Sequence, residues 1–173
     1  MEVGNDFVSL VDLLGKMEEE KKVDVSIVGV LDKLIANCKS DERFWAERED
    51  MPVDESFLLY HSVRNSRLIL QKMKTQFISA EKNHENPIVI DHAIEVAPLL
   101  SELFQSICSL KEQAITPQKI SFISNKLKAL RNMANRFGML PSPKEELTEI
   151  NKEKLERSFS RFADTVRAMF VEV

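Results

Sequence analysis

The residues whose types and spacing could do chemistry are His61 and Arg64, in the stretch LLYHSVRNSRLIL of residues 58–70. A solvent-facing imidazole can accept a phosphoryl group, and a cation on the next helical turn would neutralise its charge. The direction of the stretch follows from a stripe with spacings of four and three residues, Leu59, Val63, Ser66, Leu70, Met73 and Phe77. If that stripe faces the core, His61 points roughly 160–200° away from it. The sequence therefore predicts an outer helix face that carries Phe57, His61, Arg64 and Leu68.

The run HSVRNS resembles the histidine box of phosphotransfer proteins and of sensor-kinase dimerisation helices. The resemblance covers about six residues and implies that His61 is a phospho-acceptor assisted by Arg64. Asn65 stands where a glycine commonly follows the basic residue, and the chain lacks an ATP-binding domain and a proline after the box. Histidine phosphotransfer is therefore an alternative function, and Arg64 would be its positioning cation.

Other catalytic and metal-binding patterns are not found. The three histidines, His61, His84 and His92, do not pair at ligand spacing with one another or with a cysteine. Asp91, His92 and Glu95 would have to recur on a second helix to build a carboxylate-bridged metal site. There is no GxSxG motif and no glycine-rich phosphate loop. We therefore expect no metal, no cofactor and no enzymatic activity.

The two cysteines and the N-terminal sequence indicate where in the cell the protein is located. Cys38 and Cys108 form no CxxC motif, which favours two thiols in a reducing compartment, and Cys108 has no neighbour that would lower its pKa. The N-terminus opens acidic, unlike a signal peptide, and no stretch approaches the ~20 apolar residues of a membrane span. The predicted location is intracellular and cytoplasmic, with the nucleus also open, and no membrane partner is expected.

Helical periodicity dominates the chain and predicts an all-α fold in one domain, residues 1–173. Two shorter N-terminal helices are expected first, the second capped by Asp24. Four long helices should follow, and their predicted starts are Asp54, Asn86 with Pro87, Thr116 with Pro117, and Ser142 with Pro143 and Glu145. Gly138 should end the third of these. Short turns between heptad-like seams predict an antiparallel up-and-down bundle.

Two features inside this plan have structural consequences. Residues 40–53 are charged and contain Pro52, so they are predicted to be a loop or hinge with a short helical turn around Phe44 and Trp45. Trp45 is expected to plug the end of the core or to anchor a partner. The helix of residues 86–110 has apolar residues on two faces, which predicts a central position, and Pro98 should kink it.

The charge distribution gives a second alternative function. Residues 1–110 hold 12 Lys/Arg against 20 Asp/Glu, whereas residues 111–173 hold 12 against 8. A basic C-terminal part could bind nucleic-acid phosphates, although dense basic patches are the usual requirement and a nucleic-acid partner is not favoured. The candidate residues are Lys126, Lys128, Arg131, Arg136, Arg157, Arg161 and Arg167.

The interpretation that best fits these observations is a non-catalytic protein–protein interaction module, an adaptor or a regulatory or scaffold subunit. It would bind another protein through a helix face or groove, and a homo-oligomer stays open. The candidate partner-binding residues are Phe57, His61, Arg64, Leu68 and Trp45, because large apolar groups beside polar ones on an outer face mark a packing surface. If the N-terminal helices covered that face, its role would be structural.

Overall fold

The computed structural model describes residues 2–82, 88–142 and 144, and within them it contains five α-helices and no strand. The all-α class predicted from the periodicity is confirmed. The helices are α1 (Glu2–Glu20), α2 (Ser26–Glu47), α3 (Val53–Lys82), α4 (Ile88–Ser109) and α5 (Pro117–Arg136). The predicted last helix falls on residues 145–173, which lie outside the described residues, as does the predicted start at Asn86 and Pro87.

The N-terminal pair of helices differs from expectation. With 22 residues, α2 is as long as α4 and longer than the 20 residues of α5, so it is not a short accessory helix. It continues into the predicted hinge of residues 40–53 as far as Glu47, and the connection to α3 is reduced to residues 48–52. Asp41, Glu42 and Trp45 are buried on the same side as Cys38, which makes the charged run a continuation of the helix's inner face.

The predicted helix ends around α5 are confirmed. The Thr116 side chain accepts a hydrogen bond from the Lys119 backbone N–H at 3.3 Å, as an N-cap does. Gly138 has a φ of +69°, a conformation that glycine adopts without strain. The Met139 N–H then donates to the Ala134 carbonyl at 2.8 Å, which satisfies one of the last carbonyls of the helix.

Side-chain bonds show how the helices around α3 are oriented. From α2 to α3, bonds join Trp45 to Ser56, Glu42 to Arg67 and Asp32 to Lys74, so the two helices run antiparallel. From α3 to α5, bonds join Asn65 to Arg131 and Gln76 to the Phe137 carbonyl, so these two run parallel. Helix α3 therefore contacts α2, α4 and α5, whereas α1 packs on α2 and α4.

The position of α4 agrees with its two apolar faces, because it packs against α1, α3 and α5. It runs unbroken through Pro98, which lies on its exposed side. Helix α3 is equally central, since every residue from 59 to 70 is buried. A helix enclosed this way must bury polar as well as apolar side chains, and each of those needs a partner.

A buried ion pair of Glu42 and Arg67 joins α2 to α3. Arg67 Nε donates to Glu42 Oε2 at 2.6 Å and Nη2 donates to Oε1 at 3.0 Å, and both side chains are buried. Arg67 also donates from Nη1 to Gln71 at 3.3 Å. The two parallel bonds fix the rotation of α3 against α2, because a guanidinium and a carboxylate meet this way in only one orientation.

We expect Glu42→Ala to lower the free energy of unfolding by about 3–5 kcal/mol, because it leaves the Arg67 cation buried without its carboxylate. Urea unfolding measures this. Asp32→Ala is the matched control: the Asp32–Lys74 pair is as short, at 2.6 Å, but is half exposed, so its loss should cost less than about 1 kcal/mol. An equal loss of unfolding free energy in the two variants would contradict the conclusion that the buried Glu42–Arg67 pair fixes α3 against α2.

Candidate functional site

The expected outer face of α3 is not exposed. His61 is only 6% exposed, Arg64 0% and Leu68 4%, and Phe57 is half-buried. The prediction that His61 and Arg64 face solvent is therefore wrong. It assumed that the side opposite the apolar stripe faces water, which holds for a helix packed on one side but not for one enclosed on several.

His61 lies in a closed polar and aromatic environment. Its ring stacks on Phe57 with the centroids 5.4 Å apart and the planes 10° from parallel. Asn65 donates to the His61 carbonyl at 2.7 Å, its amide nitrogen lies 3.2 Å from His61 Nδ1, and its oxygen accepts from Arg131 Nη1. Burial, reinforced by the cations of Arg131 and Arg64, lowers the pKa of His61 to about 3.

The burial of His61 disagrees with the interpretation that it is a phospho-acceptor. A phospho-acceptor imidazole must be reached by its donor, and that of His61 is enclosed. Arg64, its expected partner, is fully buried beside it and lowers the imidazole's pKa through its positive charge. We assign His61 a packing role within the helix cluster.

The free energy of unfolding should fall as the pH drops from about 6.5 towards 3. In that window the unfolded chain protonates His61, whose ordinary pKa is about 6.5, while the folded state keeps it neutral. Below pH 3 both states are protonated and the loss is complete. In His61→Gln the decline should be shallower by up to about 1.4 kcal/mol per pH unit.

Urea unfolding of wild type and His61→Gln between pH 4 and 8 measures this difference. The two stability curves should run parallel above pH 7 and converge below it, because only the wild type loses the contribution of His61. Parallel curves over the whole range would show that the imidazole is not held neutral in the folded state.

Trp45 is fully buried and belongs to the hydrophobic core cluster, which agrees with the prediction that it plugs the end of the core. The alternative prediction, that Trp45 is an exposed anchor for a partner, is wrong. Ser56 Oγ donates to its carbonyl at 2.6 Å and ties the end of α2 to the start of α3. Its neighbour Phe44 is the exposed aromatic, 40% accessible, with Arg48 and Lys111 within 5.9 and 4.8 Å of its ring centroid.

The basic candidates on α5 are only partly available. Lys126 pairs with Glu102 at 3.0 Å and lies 5.4 Å from the Phe122 ring centroid, and Arg131 donates to Asn65. Lys128 and Arg136 are exposed. The remaining candidates lie outside the described residues: Arg157, Arg161 and Arg167.

The two cysteines and His92 all pack against or bond to neighbouring side chains of the fold. Cys38 is buried, and burial raises the pKa of its thiol. The Cys108 S–H donates to the Asp41 carboxylate at 3.2 Å. Burial and this carboxylate raise the pKa of Cys108 to about 12. His92 stacks on Phe137 with the centroids 4.1 Å apart and thereby packs on the end of α5. Within residues 2–82, 88–142 and 144, no group of three or more His, Cys, Asp or Glu side chains could hold a metal ion.

A surface that the sequence patterns did not reveal lies where the end of α4 meets the first half of α5. It is an open groove of about 270 Å³, which we call the α4–α5 groove, lined by Ser106, Ser109, Leu110, Gln118, Lys119, Phe122 and Ile123. Phe122 is 43% exposed. The signal in the sequence is that Phe122 lies off the α5 stripe to which Ile123 and Leu127 belong, so it is not needed for the core.

Comparison with protein-family models, with curated proteins and with solved structures gives no match. No relative therefore supplies a function. None of the helices in the described ranges combines the length and apolar character needed to cross a membrane.

Proposed function

We propose that the protein is a non-catalytic interaction module that binds an acidic, amphipathic helical segment of another protein in the α4–α5 groove. The observation that carries this proposal is an exposed aromatic side chain in an open apolar groove, on a helix that has basic but no acidic residues.

The apolar part of the groove supplies the binding energy. Phe122, Leu110 and Ile123 line it, and Phe122 offers a large ring that is only partly covered. Aromatic anchors at the centre of an interface carry much of its free energy when a partner excludes water from them. A helix that inserts apolar side chains at spacings of three and four residues fits such a groove.

The charge of α5 selects the partner. The helix contains five basic residues and no Asp or Glu in a chain of net charge -4. Lys119 lines the groove, and Lys126 lies over the Phe122 ring. Carboxylates beside the apolar residues of a partner would be attracted to this side, which raises the association rate and disfavours basic partners.

A protein partner is favoured over a nucleic acid because of how these cations are used. Arg131 is tied to Asn65 of α3, and the exposed Lys128 lies roughly 160° around α5 from Lys126. Phosphate binding needs several cations on one surface. An apolar groove instead binds apolar side chains, which a nucleic acid does not have. An adaptor or a regulatory subunit is the class of protein that would use such a surface.

We expect Phe122→Glu to weaken partner binding at least tenfold, about 1.4 kcal/mol, because it places a carboxylate in the apolar groove and opposite an acidic partner. Proteins captured by wild type and lost with Phe122→Glu are identified by mass spectrometry, purified, and titrated calorimetrically against both variants. Ile78→Glu is the matched control, since Ile78 is similarly exposed, at 38%, on α3; it should bind like wild type.

Two outcomes would contradict this proposal. One is a purified partner that binds Phe122→Glu and wild type with equal affinity. The other is tight binding of a labelled 20-nucleotide strand, measured by fluorescence anisotropy, that falls steeply between 50 and 200 mM salt and would make nucleic acid the ligand.

A further inference from the structure

The α4–α5 groove lies at one end of a longer line along which α4 and α5 run side by side. Three pairs of residues mark this line across the two helices: Ser106 with Phe122, which both line the groove, Glu102 with Lys126, which form an ion pair, and His92 with Phe137, which stack. The numbers fall along α4 as they rise along α5, so the two helices are antiparallel. We call the surface along these three pairs the α4–α5 seam.

Helical geometry extends the seam beyond the groove. At about 100° per residue, positions 92, 99, 102 and 106 fall within about 80° of one another on α4. Positions 122, 126, 129 and 133 fall within about 60° on α5. Leu99 and Met133 are half-buried and Ala129 is exposed. The seam therefore has apolar residues on both sides of the Glu102–Lys126 ion pair.

The Glu102–Lys126 pair that divides the seam is open to exchange. The two groups are 3.0 Å apart, and the Glu102 side chain is 46% exposed. An ion pair this exposed contributes little to stability, so replacing one of its carboxylates by another costs little. Lys126 also lies 5.4 Å from the Phe122 ring centroid, which places its charge beside the apolar part of the groove. An incoming carboxylate would therefore compete with Glu102 for Lys126.

We propose that the partner helix lies along the whole α4–α5 seam and carries, between two apolar residues, a carboxylate that replaces Glu102 on Lys126. This inference rests on the proposed function, and it adds the register of the partner and a residue, Glu102, that limits the affinity. Phe122 and Met133 are about 16 Å apart along α5, so a partner helix of about three turns reaches both. The exposed Glu95, on the same side of α4, disfavours a second carboxylate at that end.

Two synthetic peptides test the register. Each is a fluorescently labelled amphipathic helix with leucine, a central residue and leucine on one face, at spacings of four and three residues. The central residue is glutamate in one peptide and glutamine in the other, and all other positions are the same. Fluorescence anisotropy measures their affinities. Wild type should bind the glutamate peptide at least about threefold more tightly, because only that peptide can pair with Lys126.

A pair of α5 variants tests whether the seam extends past Lys126. Ala129→Glu should weaken binding of the glutamate peptide at least about fivefold, because it places a carboxylate on the seam beside that of the peptide. Asn135→Glu is the matched control. It adds the same charge at an exposed position roughly 160° around α5 from the seam, and it should bind like wild type.

A second pair of variants tests the competition by Glu102. Glu102→Gln should bind the glutamate peptide about two- to fivefold more tightly than wild type does, because Lys126 no longer has an internal carboxylate. Its affinity for the glutamine peptide should change less. Glu18→Gln removes the same charge from an exposed position on α1 and should leave both affinities unchanged.

The outcomes separate this inference from the proposed function. If Phe122→Glu weakens binding while Ala129→Glu and Asn135→Glu bind equally well, the groove alone is the binding site and the seam is overturned. Equal affinity of wild type for the two peptides, or no gain in Glu102→Gln, overturns the placement of the carboxylate on Lys126. If neither peptide binds wild type, or Phe122→Glu binds both like wild type, the proposed function fails and the seam fails with it.

Discussion

The ion pair between Glu42 and Arg67 is the interaction on which the arrangement around α3 depends. A buried guanidinium and carboxylate are each costly to desolvate, and the cost is recovered only where their geometry is met closely. The two parallel bonds meet it, with distances of 2.6 and 3.0 Å. They hold α2 and α3 in one antiparallel register, and the sides that α3 presents to α4 and α5 follow from that register.

The enclosure of α3 changes the chemistry of its polar residues. His61 on an exposed helix would have an accessible ring and an ordinary pKa, whereas here burial and two neighbouring cations keep it neutral. Asn65 extends the same network to Arg131 and so ties one of the basic residues of α5, which is partly buried, to α3. The polar residues His61 and Arg64, which suggest reactivity in the sequence, are buried among the helices, whereas the α4–α5 groove is an open apolar surface.

Much of the fold could be read from the sequence. The three- and four-residue spacing of apolar residues predicted the helices of the described region, and the Thr116 cap and Gly138 predicted both ends of α5. These signals are local, because a cap or a stripe needs only residues within two turns. The α4–α5 groove was not predicted, since it requires Leu110 and Phe122 to come together across a turn.

The sequence by itself determined that the described part of the chain is helical, where α5 begins and ends, and which stripe of each helix is apolar. Only the tertiary structure decided the environment of the polar residues. Asp41 and Glu42 look like part of a charged loop until Lys111 and Arg67, far along the chain, are placed opposite them. The physical reason is that periodicity reports one apolar side of a helix, whereas the burial of a charge depends on a partner that no local pattern encodes.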